Sequence, residues 1–182
     1  MSRSSSPPPT SPISSACEPR LRAWLIDGDL PADASGISAC TRRDFDAVLG
    51  PGEDGSGKLS GTSRAWTRYV RAGGPSVRVW WSSDHALLIV VDNLVVHGDA
   101  AALVTSLGSP ASEGPSRTKQ MDWTIADLVY PARGLTLSVA DSLATPPAPR
   151  RIAAAYLYEP TTLDAWGSQL GGHDEWVRRF PR

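Results

Sequence analysis

The chain has 182 residues, 41% of them hydrophobic, and a formal net charge of −1. That length buries a proper core in one medium domain or two small fused ones, and the apolar content excludes global disorder. The charge balance argues against nucleic acid as the main partner, because phosphate binding is supplied by excess Lys and Arg. Of the 18 basic residues only Lys58 and Lys119 are lysines, an Arg bias that points to a GC-rich bacterial genome rather than to function.

The first 20 residues are Ser/Pro-rich, with Pro7, Pro8, Pro9 and Pro12, and read as a disordered leader. They offer no apolar stretch able to serve as a signal-peptide core, and no apolar run is long enough to span a membrane, so the expected compartment is the cytosol. In that setting Cys17 and Cys40 are expected as reduced thiols, Cys40 buried.

A first α+β unit is expected over residues 21–98. Arg22 to Ile26 reads as a strand ended by Asp27-Gly28-Asp29. Thr41 then caps a short helix with Phe45, Val48 and Leu49 on one side, which stops at Gly50-Pro51. Gly52 to Ser63 is Gly/Ser-rich and reads as a mobile loop. Its Gly52-to-Leu59 stretch approaches a phosphate-binding loop, but Leu59 stands where the magnesium-binding hydroxyl should be. Strands are expected at Trp66–Arg71, Val77–Trp81 and Leu87–Val91, the last extending through Leu94-Val95-Val96.

The pattern restarts over residues 99–182. Asp99 caps a helix with Leu103, Val104 and Leu107 inward, ending at Gly108-Ser109-Pro110. Strands are expected at Trp123–Val129, Leu135–Ala140 and Ile152–Tyr158. A C-terminal helix follows, capped by Thr161 or Thr162 and carrying Leu163, Trp166 and Leu170; Trp176 and Phe180 lie on a last turn.

The halves align in order: Leu49-Gly50-Pro51 with Leu107-Gly108-Ser109-Pro110, Trp66 with Trp123, Gly74 with Gly134, and Val77–Trp81 with Leu135–Val139. The expected fold is therefore α+β, an antiparallel sheet with short helices built from two tandem helix-plus-three-strand repeats in one body. Each unit alone buries too little to be stable, which gives the fusion a physical reason.

This organisation resembles the β-lactamase inhibitor protein and the outer-membrane assembly lipoproteins of the BamE type. The likeness rests on Leu107-Gly108-Ser109-Pro110, Trp123, Tyr130 and Leu135–Val139, with the shorter first copy at Leu49-Gly50-Pro51. The resemblance implies a sheet-surface binding module. Members of that group are exported and rely on disulfides or a lipid anchor, features that this sequence does not announce.

No catalytic or metal-binding set emerges. His85, His97 and His173 have no second His or Cys at a ligand spacing, so neither metal nor other cofactor is expected. Aromatic residues are the informative class, with seven tryptophans against two phenylalanines. Alternation in Val77–Trp81 sends Arg78 and Trp80 to the face opposite Val77, Val79 and Trp81. The same rule aligns Ile152, Ala154, Tyr156 and Tyr158. Trp24, Trp66, Trp123 and Trp166 are expected in the core, leaving Arg78, Trp80, Tyr156 and Tyr158 as a partner-binding set of hot-spot residue types. The expected function is a non-catalytic protein-binding module, an immunity or inhibitor-type protein facing a toxin or enzyme, with no nucleic-acid or membrane partner. The alternatives are a small-ligand binder or enzyme with a site between the units, using Asp84-His85 or His97-Asp99, and a structural subunit of a larger assembly.

Overall fold

Cys17, Leu21, Trp24 and Leu25 recur at helical spacing, and in the computed structural model they are all buried on one side of a coil. Helix α1 (Cys17–Arg22) continues into a π-helical turn (Ala23–Asp27) that ends at Gly28 in the left-handed conformation. The strand expected at residues 22–26 is thus helical: the apolar period begins at Cys17, inside the segment read as a disordered leader. The structure describes residues 16–92, 100–114, 118–120 and 123–170, so the rest of that leader lies outside the described residues. A short 3-10 turn (Ile37–Ala39) brings Cys40 to Cys17, and the two form a disulfide. This corrects the expectation of reduced thiols. The pair is invisible to spacing rules because it depends on the helical course of the chain before Trp24.

Helix α2 (Arg42–Leu49) opens on a capping box in which the Asp44 carboxylate accepts from the Thr41 amide at 2.7 Å and from its hydroxyl at 2.9 Å. It closes at Gly50, as the Gly-Pro signal predicts. The Gly-rich segment that follows is a strand, not a loop. Strand β1 (Glu53–Leu59) pairs with β2 (Thr62–Val70) through the two-residue turn Ser60-Gly61, both at positive φ, which matches the twist of a tight hairpin. Gly55 lies opposite Trp66, and a Cβ there would come within 2.2 Å of the indole. The tryptophan ring takes the space that the missing side chain leaves. A phosphate-binding loop has no counterpart here, since such a loop follows a strand and opens a helix, whereas this segment is itself an edge strand.

Strands β3 (Ser76–Ser82) and β4 (His85–Asp92) complete the first meander; the expected extension at 94–96 lies outside the described residues. Helix α3 (Ala100–Leu107) leads through β5 (Ser112–Glu113) and β6 (Thr118–Gln120) to β7 (Trp123–Tyr130), β8 (Leu135–Ser142) and β9 (Arg151–Tyr158). A short helix α4 (Leu163–Ala165), capped by the Thr162 hydroxyl at 3.2 Å, runs into a π-helical turn (Trp166–Leu170). The proposed last turn at Trp176 and Phe180 lies outside the described residues.

All strand pairings are antiparallel, and the described strands form one sheet in the order β1-β2-β3-β4-β9-β8-β7-β5, with β6 also on β7. The fold is α+β. On one face, Val77, Val79, Ile89, Leu137 and Leu157 form the main core with Leu21, Leu25, Phe45 and Leu107 from the helices. A polar network ties this face to α2. The Trp81 indole donates to Thr67 at 2.9 Å, Thr67 donates to Asp54 at 2.8 Å, and Asp54 pairs with Arg42 at 2.8 Å. The Tyr69 hydroxyl donates to Asp46 at 3.0 Å; burial first, and then the Asp46 carboxylate, hold its phenol far above the ordinary range.

Candidate functional site: the outer face of the sheet

The face opposite the main core carries its own apolar cluster: Trp80, Leu88, Val90, Ala154, Tyr156 and Tyr158, with Leu59 and Leu170. Alternation places Arg78 and Trp80 here and Val77, Val79 and Trp81 in the core, as the sequence predicts. In β9 the rule holds for Ala154, Tyr156 and Tyr158 but fails at Ile152. The register shifts between Ser138 and Val139, leaving Ala153 unopposed, so Ile152 turns to the main core beside Val139.

The expected display of these aromatics needs correction. Trp80 is 0% exposed, Tyr158 1% and Tyr156 7%. Trp166 and Leu170, brought over the sheet by α4 and its π-helical continuation, pack onto the same cluster. Trp80, Tyr156 and Tyr158 therefore form the floor of this face rather than its contact surface. Of the proposed set only Arg78 is half-buried, its guanidinium 5.2 Å from the centre of the Trp66 ring.

What the outer face does present is a stripe along β2. Arg64, Trp66, Arg68 and Val70 share its outward side, with Trp66 half-buried, Arg68 exposed and Val70 65% exposed. Arg78 lies opposite Arg68 on β3. A second cation–aromatic stack stands across the sheet, where the Arg151 guanidinium lies 4.0 Å from the Trp123 ring centre. Trp66 and Trp123 were expected in the core, and both instead sit half-buried on the outer side. The signal was present, because period two in Thr62–Val70 separates Arg64, Trp66, Arg68 and Val70 from the buried Thr67 and Tyr69. Trp24, by contrast, is in the core as expected.

Beside the covered cluster lies a small cleft of about 20 Å³, lined by Leu88, Asp127, Thr136, Tyr156, Trp166 and Leu170. Its polar floor is tightly bonded. The Tyr158 hydroxyl donates to the Leu135 carbonyl at 3.1 Å, so at the 3.0 Å Thr136–Tyr158 contact Thr136 is the donor. The Ser138 hydroxyl donates to Asp127 Oδ1. Burial drives the Tyr158 phenol strongly upward, which keeps it neutral.

The histidine sites do not assemble. His85 is exposed at the start of β4, where its backbone bridges to Thr41, and His97, Asp99 and His173 lie outside the described residues. Among the described residues no three His, Cys, Asp or Glu side chains group as a metal site, and no helix is long and apolar enough to cross a membrane. Compared with protein families, with characterised proteins and with solved structures, the chain matches none.

Proposed function

We propose that this chain is a non-catalytic protein-binding module of the immunity or inhibitor type, which meets an acidic partner surface with the β2–β3 stripe Arg64, Trp66, Arg68, Val70 and Arg78. The observation that carries the reading is that stripe: Arg and Trp are the side chains that dominate protein interfaces, and here they stand on a rigid sheet face that the α4 segment leaves uncovered. The cationic row on a chain of net charge −1 favours an acidic surface and steers its approach. Trp80, Tyr156 and Tyr158 contribute as buried support, since Trp66 packs against the cluster they form.

Within this reading the two halves are copies of one unit and share the β-lactamase inhibitor protein or BamE-type organisation. Two features support duplication. Gly50 and Gly108 end α2 and α3 at φ values of 82° and 78°. The strand order also mirrors itself about the β4–β9 pair, each half running from a sheet edge to the middle. On this view each unit is a helix with four strands rather than three, because β1 and its β5–β6 counterpart join the meander.

The Cys17–Cys40 bond favours an oxidising compartment over the cytosol expected from reduced thiols. It also brings the chain nearer to the exported proteins it resembles.

The test is capture of a partner from the native host, followed by affinity measurement with the Arg64→Glu/Arg68→Glu and Trp66→Ala variants. Charge reversal weakens binding at least tenfold, with most of the loss in association rate and a flattened salt dependence. An identified partner that binds both variants with unchanged affinity removes the stripe as the contact surface.

A further inference from the structure

We propose that two copies of this chain join along the outer edge of β1, their sheets meeting antiparallel about a two-fold axis through Ser56. The seam is made by the backbone of β1 and by Asp54 and Lys58, not by the β2 stripe. It goes beyond the protein-binding reading and is tested without the acidic partner.

The two borders of the sheet differ. One ends in β5 and β6, of two and three residues, short strands that give a neighbour little to pair with. The other is β1, seven residues long and, among the described residues, bonded to β2 alone. Its register with β2 runs unbroken, without the bulge or proline that blunts an edge. Glu53, Asp54, Ser56 and Lys58 are exposed, and Gly55 and Gly57 carry no side chain to hold another backbone away.

The hairpin fixes which backbone groups face outward. Ser60 and Gly61 both have positive φ, as in a two-residue type I′ turn, so Leu59 and Thr62 are its bonded closing pair. Alternation then turns the N–H and C=O of Leu59, Gly57, Gly55 and Glu53 toward β2, and those of Lys58, Ser56 and Asp54 away from it. An antiparallel copy centred on Ser56 sets all three outward positions against outward positions. Ser56 meets the partner's Ser56, Asp54 the partner's Lys58, and Lys58 the partner's Asp54.

Charge selects the same register. Sliding the copy until Asp54 meets the partner's Asp54, or Lys58 the partner's Lys58, places like charges opposite each other, which is destabilising. In the centred register each carboxylate faces an ammonium. Asp54 accepts from Arg42 and from Thr67, each at 2.8 Å, yet its side chain is 59% exposed and a carboxylate has lone pairs for a further cation. The partner's Lys58 therefore extends the Arg42–Asp54 pair rather than displacing it. A chain edge that is complementary to itself in both backbone and charge fits a second copy better than an unrelated strand.

Seven residues a side make a small seam, so the dimer is weak and depends on concentration. Sedimentation equilibrium of the full chain should show monomer passing to dimer as concentration rises, with no larger species because the pairing closes on itself. Ser56→Pro removes an outward N–H without touching the β1–β2 ladder and should raise the dissociation constant at least tenfold. Lys58→Glu, which sets a like charge against Asp54, should do the same. Ser56→Cys should cross-link to its own copy under mild oxidation, because bonded pairs across an antiparallel seam lie about 5.5 Å apart at Cα, within disulfide reach. Ser63→Cys, one strand inward, should not. Cys17 and Cys40 are bonded to each other and do not compete. A chain that stays monomeric up to about 1 mM, the weak end of specific association, overturns the proposal. So does a dimer whose dissociation constant is unchanged by Lys58→Glu, or one that does not cross-link through Ser56→Cys.

Discussion

Breaking the Cys17–Cys40 bond should lower the stability of the folded chain far more than loss of an ordinary surface contact. The bond joins residues 23 positions apart, and a cross-link of that span removes chain freedom from the unfolded state worth about 3.4 kcal/mol at 25 °C in the loop-closure account. For a chain of this size each kcal/mol moves the melting midpoint by about 2–4 °C, so the expected drop is roughly 7–14 °C. Both cysteines are buried, Cys17 at the start of α1 and Cys40 where the backbone carbonyl accepts from the Ala86 amide, so the reduced protein keeps its packing and loses mainly the tether. Melting curves followed by circular dichroism, with and without a phosphine reductant, read the effect directly. The Cys17→Ala/Cys40→Ala variant should match the reduced wild type and be insensitive to reductant. Coincident curves for oxidised and reduced protein, or two titratable thiols after purification without reductant, would refute the reasoning.

Other perturbations probe separate parts of the fold. Gly134 has φ +65°, and a Cβ there would sit 2.0 Å from the Tyr158 carbonyl oxygen; Gly134→Ala should cost more than the roughly 1–3 kcal/mol of left-handed strain alone, measured by urea denaturation. Thr67→Val removes both the acceptor for the Trp81 indole and the donor to Asp54, and should cost about 1–3 kcal/mol by the same assay because a buried N–H is left unpaired. Burial pushes the Glu159 carboxyl up, but bonds from the Gly36 and Ser38 amides, the Ser38 side chain and the charge of Arg20 together outweigh it, so its pKa lies below the ordinary value. Its stabilising effect is complete above that ordinary value of 4.5 and is lost as pH falls through the lower folded value; melting midpoints should fall on acidification below about pH 4.5, less steeply in Glu159→Gln.

The parts of the fold legible in the sequence are those set by local chemistry. Gly50 and Gly108 stop their helices where they should, and period two sorts Val77–Trp81 correctly onto its two faces. What could not be read depends on distant partners. Gly52–Leu59 has the composition of a loop, and Glu53–Leu59 becomes a strand by pairing along β2, with the Trp66 ring lying over Gly55. Trp80 is predicted to face outward and does, yet it is buried, in a cluster that draws Leu59, Leu88, Tyr158 and Leu170 from distant parts of the chain. The accessible stripe on β2 is within reach of the alternation rule, which sets Trp66 on the side of Arg64, Arg68 and Val70.

The sheet order has a consequence for how the protein is made. Strand β4, with Leu88, Ile89, Val90 and Val91 all buried in the finished molecule, lies at the middle of the sheet, yet its neighbour β9 begins only at Arg151. On the ribosome, about sixty residues must therefore emerge before this apolar strand is sealed on its second side. A chain truncated ahead of Arg151 leaves β4 as an open border, and the most hydrophobic strand of the first meander becomes a template for the wrong neighbour.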